Sequence, residues 1–127
     1  MLTLTRFDHI NMKVKDLAAS KAFYRAVFGF EEKDGGVRRG TPWTVLGVSS
    51  RAYLALYEVK DGWAADESQS VGHFGIHVED FAGAKDRLSE LGIPIASEVD
   101  YGASRSLYIM DPSGHEIELS ERVGGGL

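Results

Sequence analysis

The sequence contains no cysteine, which removes disulfides, thiolate metal ligands and cysteine nucleophiles together. Proline is scarce, with 3 in 127 residues. No apolar run approaches the roughly 18 residues that span a bilayer. The opening Met1-Leu-Thr-Leu-Thr-Arg-Phe-Asp-His9 has neither the basic nor the apolar region of an export signal. An excess of basic charge is also missing: 14 Lys and Arg stand against 19 Asp and Glu, a formal net charge of −5. That balance repels polyanions, and no basic run offsets it locally. The absences argue against nucleic acid and membranes as partners and lead to the expectation of a cytoplasmic protein. What is present, 43% hydrophobic and 26% charged residues with 15 Gly, is the mix of a globular chain. Its length fits a single domain, 1–127, able to bury about two thirds of its unfolded surface.

The chain repeats itself. His9-Ile-Asn-Met-Lys-Val-Lys-Asp-Leu-Ala18 lies over His73-Phe-Gly-Ile-His-Val-Glu-Asp-Phe-Ala82 at a constant offset of 64. His9/His73, Val14/Val78, Asp16/Asp80 and Ala18/Ala82 coincide, and the apolar positions between them stay apolar. An internal repeat of this length is one supersecondary unit used twice. The polar stretch 60–70 is the natural junction, which gives modules 5–60 and 71–123 with a glycine-rich tail behind them.

Each copy opens on an apolar strand, 7–14 and 72–78. Asp16 and Asp80 then stand where a helix N-cap belongs. Apolar residues recur at three-and-four spacing until Gly29 and Gly92, which supply left-handed C-caps. Three strands follow each helix. The first set is 30–33, 43–48 and 52–59, separated by turns at Gly35-Gly36 and Ser49-Ser50. The second is 93–98, 106–110 and 116–122, with the last two joined by the turn Asp111-Pro112-Ser113-Gly114. The expected architecture is α+β: two tandem βαβββ modules whose mixed sheets cup a shared cavity.

A two-fold repeat turns isolated residues into a constellation. His9 and His73 open equivalent strands. Residues 52–58 lie over 115–121, which sets Ala55 against Glu118. Strand alternation puts Glu116, Glu118 and Ser120 on one face and Ile117 and Leu119 on the other. With the apolar pair under the helix, Glu118 faces the cavity. Two imidazoles and one carboxylate form the set that holds Fe(II), Mn(II), Zn(II) or Ni(II) with open positions, and such an ion can take two substrate oxygens as a Lewis acid.

These residues carry a resemblance. The opening FDHINMKVKDLAASKAFYRAVFGFEE and the closing YIMDPSGHEIELSE resemble the vicinal oxygen chelate superfamily, which includes glyoxalase I, extradiol dioxygenases, methylmalonyl-CoA epimerase, fosfomycin-resistance proteins and bleomycin-binding proteins. The likeness runs from Phe7 to Arg122. It implies the paired-module fold, a small-molecule substrate or drug, and metal ligands at His9, His73 and Glu118. It also implies a homodimer whose modules pair across the interface, so that His9 of one chain can meet Glu118 of its partner. Glyoxalase I and the epimerases of this superfamily use a further ligand on the fourth strand, where this chain has Ala55, which counts against both. Fosfomycin enzymes hold a phosphonate with cationic and hydroxyl side chains before the seventh strand, where this chain has Glu98-Val-Asp-Tyr-Gly102; of that group only Tyr108 matches.

Other residues have weaker claims beside plain structural roles. Tyr53 and Tyr57 flank Ala55 at two-residue spacing and are expected to share its face as a cavity wall, with Trp43 and Trp63 at the rim. Arg105 and Tyr108 lie three apart on one strand and so face opposite ways unless a bulge intervenes; either could reach an acidic or phenolic substrate. Glu116 and Tyr108 are the nearest bases. His77, His115 and the Arg38-Arg39 pair read as structural or solvated.

Two functions follow. One is a divalent-metal enzyme acting on a small organic substrate through two adjacent oxygens, dioxygenase-like or thiol-transferase-like rather than glyoxalase I-like. The alternative is a metal-free bleomycin-resistance-type module that sequesters a cationic aromatic drug. The three ligand residue types favour the first.

Overall fold

The computed structural model describes residues 7–49, 51–60 and 71–122. The chain divides into two compact units, Met1–Trp63 and Ala64–Leu127.

The first unit runs β1 (Ile10–Val14), α1 (Leu17–Phe28), β2 (Glu31–Arg38), β3 (Thr41–Val48) and β4 (Arg51–Glu58). Its sheet has the order β1-β4-β3-β2, with β1 parallel to β4 and the other pairs antiparallel. The crossover that this parallel pair requires is made by α1 together with β2 and β3. At its start the Asp16 carboxylate accepts the Ala19 N–H at 2.8 Å, and Glu58 from the end of β4 accepts the Leu17 N–H at 2.8 Å. Two of the orphan donors of the first turn are thereby satisfied. At its end Gly29 adopts φ 67° and donates to the Arg25 carbonyl. Met12, Val14, Tyr24, Leu46, Leu54 and Leu56 are its buried apolar residues.

The second unit repeats the pattern: β5 (His73–His77), α2 (Phe81–Glu90), β6 (Ser97–Asp100), β7 (Arg105–Met110) and β8 (Glu116–Ser120), in the order β5-β8-β7-β6. Asp80 caps α2 through the Gly83 N–H at 2.9 Å. The helix stops at Glu90, with Leu91 between it and the left-handed Gly92 (φ 66°). Lys85 to Glu98 at 2.7 Å ties α2 to β6. Phe81, Leu88, Leu107, Ile109, Ile117 and Leu119 are buried. The α+β class and the tandem modules are as expected from the repeat, and no described helix is long and apolar enough to cross a membrane.

Three local expectations fail for identifiable reasons. Gly35 and Gly36 are not a turn; they lie inside β2, paired with Thr44 and Trp43. The reversal comes later, where Arg39 and Gly40 take φ 51° and 78°. A Cβ on Gly35 would meet the Trp43 carbonyl at 3.2 Å, so this glycine serves close backbone approach rather than reversal. The strand expected over 93–98 begins at Ser97. Pro94 has no N–H to give a ladder and restricts the residue before it. The third failure is a bulge in β4. The register passes from Leu46↔Leu54 to Gly47↔Ala52, leaving Tyr53 unpaired and breaking the alternation of faces there.

Candidate active site

The chemistry-bearing face belongs to the second sheet. In β8, Ile117 and Leu119 are buried, and strand alternation turns Glu116, Glu118 and Ser120 to the opposite face. Neighbouring strands extend this face in rows: Gly75, Glu118, Tyr108 and Ser97 across one, and His77, Ser120, Ser106 and Val99 across the next. His73 stands in the row of Glu116.

His73 lies between two carboxylates. Its Nε2 is 3.0 Å from Glu118 Oε2 and its Nδ1 is 3.5 Å from Glu116 Oε1. The Tyr108 ring meets the imidazole edge to face, with centroids 5.6 Å apart. The other Glu118 oxygen, Oε1, accepts the Ser106 hydroxyl at 2.6 Å. Glu118 is the more enclosed carboxylate, its side chain 19% exposed against 34% for Glu116. Gly75 is the ladder partner of Glu118, and a Cβ there would stand 3.9 Å from Oε2.

Tyr108 is nearly buried, and its hydroxyl shares a 2.8 Å hydrogen bond with that of Tyr101. This bond, its burial and the nearby Glu118 charge hold the phenol well above the ordinary tyrosine range. It is therefore a neutral hydroxyl at neutral pH, its proton engaged with the Tyr101 oxygen.

The first sheet carries the equivalent frame without the carboxylate. Asn11 pairs with Ala55 as Gly75 pairs with Glu118, so the two ladders are in the same register and Ala55 occupies the position of Glu118. His9 falls immediately before β1 rather than within it, exposed, with Nδ1 2.6 Å from the Asp8 carboxylate. Trp43 and Tyr57 are cross-strand partners on the Ala55 face, their rings stacked at 6.3 Å.

Two expected wall or substrate residues are placed elsewhere. Tyr53, turned by the β4 bulge, does not share the face of Ala55. It stacks on Phe30 at 5.4 Å, and Phe30 stacks on Tyr24 of α1. Arg105 faces away from Tyr108: its guanidinium lies 4.8 Å over the Phe81 ring and pairs with Glu121 at 2.7 Å. His77 donates from Nδ1 to the Ser120 carbonyl at 3.2 Å. His115 sits half-buried behind the Asp111 turn, its backbone N–H bound by the Asp111 carboxylate. Trp63 lies outside the described residues. Sequence reasoning missed Ser106 and Tyr101. Ser106 was findable, since it is two residues from Tyr108 on one strand; Tyr101, reaching back from a loop, left no periodic signal.

The donors suit a divalent ion. Two cis ligands each about 2.1 Å from a metal stand about 3 Å apart, the spacing of His73 Nε2 and Glu118 Oε2. Glu116 beside the far ring nitrogen is the type of outer partner that orients a ligating imidazole. Among the described residues no group of three or more His, Asp or Glu side chains is gathered at metal-holding spacing; the second unit supplies a pair.

Comparison with known proteins agrees with this architecture. Residues 6–119 match the model of the Glyoxalase/Bleomycin resistance protein/Dioxygenase superfamily. The chain is 26% identical over 129 residues to a lactoylglutathione lyase of Salmonella typhimurium, covering 95% of this chain and 96% of that one. It is 31% identical over 122 residues to the metallothiol transferase FosB of Lysinibacillus sphaericus, covering 93% and 83%. A glyoxylase/bleomycin resistance protein/dioxygenase domain from Frankia sp. EAN1pec superposes with a TM-score of 0.80 at 19% identity, covering 93% and 98%.

Proposed function

The chain belongs to the Glyoxalase/Bleomycin resistance protein/Dioxygenase superfamily, and within it we propose a divalent-metal-dependent enzyme that acts on a small organic substrate through two adjacent oxygens. The observation that carries this reading is the 3.0 Å approach of His73 Nε2 to Glu118 Oε2. His73 and Glu118 are two of the ligands. His9, at the matching position of the first module, is the third, contributed by the same chain or by a second copy in a homodimer. The ion is Fe, Mn, Zn or Ni; when bound it supplies Lewis acidity toward the paired oxygens.

The chain's own groups divide the remaining work. Tyr108, kept as a neutral phenol, shares its proton with Tyr101 at 2.8 Å, and the pair retains one O–H to donate to a substrate oxygen. Glu116, 34% exposed beside His73, is the carboxylate that accepts a proton, a role the raised phenol cannot fill at neutral pH. Trp43 and Tyr57 offer an aromatic surface to an organic group. Ala55 in place of a further ligand favours a thiol-transferase-like or dioxygenase-like reaction over thiohemiacetal isomerisation. The identity to a metallothiol transferase supports the same side.

The test is metal content by inductively coupled plasma mass spectrometry on tag-free protein, with His9→Ala, His73→Ala and Glu118→Gln prepared identically. Near-stoichiometric metal in the parent and its loss in all three variants is the expected result. A parent that neither carries nor takes up metal overturns the reading. Binding of a cationic planar drug by that metal-free protein would then favour sequestration, for which the Trp43–Tyr57 stack and the −5 charge are suited.

A further inference from the structure

Glu118 has two oxygens, and the structure gives them different neighbours. Oε2 faces the imidazole of His73 at 3.0 Å. Oε1 accepts the hydroxyl of Ser106 at 2.6 Å, a short bond of the type that a charged acceptor makes with a hydroxyl. Ser106 is fully buried, so its donor is not one that water replaces freely. Its position is fixed from both sides. Leu107 and Ile109 anchor the same strand in the core, and the ladder sets Ser106 opposite Ser120, one row from Glu118. The hydroxyl of Ser120 is turned elsewhere, donating to the Arg122 carbonyl at 2.7 Å and lying 3.4 Å from the Ser104 hydroxyl.

We propose that Ser106 is a positioning residue that holds Glu118 as a one-oxygen ligand, with Oε1 tied to the Ser106 hydroxyl and Oε2 left to face the ion beside His73. The inference rests on the metal reading above. Its consequence is coordinative. A carboxylate free to rotate can take an ion through both oxygens and fill two positions, whereas a tethered one fills a single position. Two adjacent substrate oxygens need the positions so spared. Partners of this outer type also stiffen the ligand before the ion arrives, and their loss weakens metal binding on the order of 10- to 100-fold.

The experiment titrates the metal-free parent, Ser106→Ala and Ser120→Ala with Co(II), reading affinity and the visible absorption bands, with circular dichroism as the check on folding. Ser106→Ala removes one atom and leaves the strand its core residues, so it is expected to fold. The expected result is a loss of affinity on the order of 10- to 100-fold in Ser106→Ala, with a changed band pattern reporting altered coordination. Ser120→Ala, lacking a hydroxyl that bonds to Ser104 and to the Arg122 carbonyl rather than to Glu118, is expected to match the parent. Equal affinity and an unchanged spectrum in Ser106→Ala overturn the proposal while leaving the metal reading intact. So does an equal loss in Ser120→Ala, because any hydroxyl of this face would then serve. A parent that binds no Co(II) overturns both.

Discussion

Ala55 and Glu118 occupy one position in two ladders of the same register, the first opposite Asn11 and the second opposite Gly75. The duplicated frame thus carries a carboxylate in one copy and a methyl group in the other. A reaction that needs a ligand at both places is out of reach. Purified, metal-supplied protein given the thiohemiacetal of methylglyoxal and glutathione is expected to form no thioester above background; turnover at an ordinary enzymatic rate would refute the argument from Ala55.

The Tyr101–Tyr108 bond makes a titration prediction. Because the neutral form of Tyr108 is held in the fold, its contribution to stability is fully present below the ordinary tyrosine value of about 10 and is lost as pH rises toward the raised one. Tyr101→Phe removes the largest cause of the shift. Carbon NMR of labelled tyrosine is expected to show Tyr108 titrating at lower pH in the variant, and an unmoved midpoint would leave burial and the nearby Glu118 and Glu116 charges as its cause.

Arg105 and Glu121 predict the opposite sign. Arg105 binds the Glu121 carboxylate through its side chain and its backbone N–H, which brings Glu121 down to about 2. Its contribution is present above the ordinary glutamate range and lost as pH falls toward 2. Melting curves of the parent and Glu121→Gln should differ most at neutral pH and converge in acid. The pair is exposed, so high salt should shrink the difference.

Asp111 is a turn residue whose carboxylate is buried and accepts the N–H groups of Ser113 and His115 at 2.9 and 2.8 Å. Asp111→Ala leaves donors without an acceptor and is expected to lower unfolding free energy by about 1–3 kcal/mol in urea titration. A neutral outcome would mean that water reaches those donors.

What could be read from the sequence follows the range of each signal. Asp16, Asp80 and Gly29 are local: a cap needs only its own turn, so they were legible. The pairing of Ala55 with Glu118 was legible because duplication prints the register twice. The face of Glu118 followed from alternation over five residues. Tyr53 was misplaced because a bulge is a defect in that same alternation, set by how β3 and β4 close on each other. Gly35 and Gly36 misled because flexibility at a turn and close approach in a strand call for the same residue. The reach of Tyr101 to Tyr108 depends on a loop conformation, which no period encodes.

One more consequence lies at the rim of the first sheet. All eight residues of β2 are exposed, and the strand is outermost in its sheet, so its backbone is a template on which another strand could grow. Glu31, Glu32, Lys33 and Asp34 put four charged side chains in succession there, and the register breaks between Glu32 and Asp34. Both features oppose stacking of copies into fibres. A triple change of Glu31, Glu32 and Asp34 to their amides strips three like charges from that edge, while the amide of Glu32→Gln can still accept the buried Thr44 hydroxyl; the variant is expected to scatter more light than the parent at equal concentration.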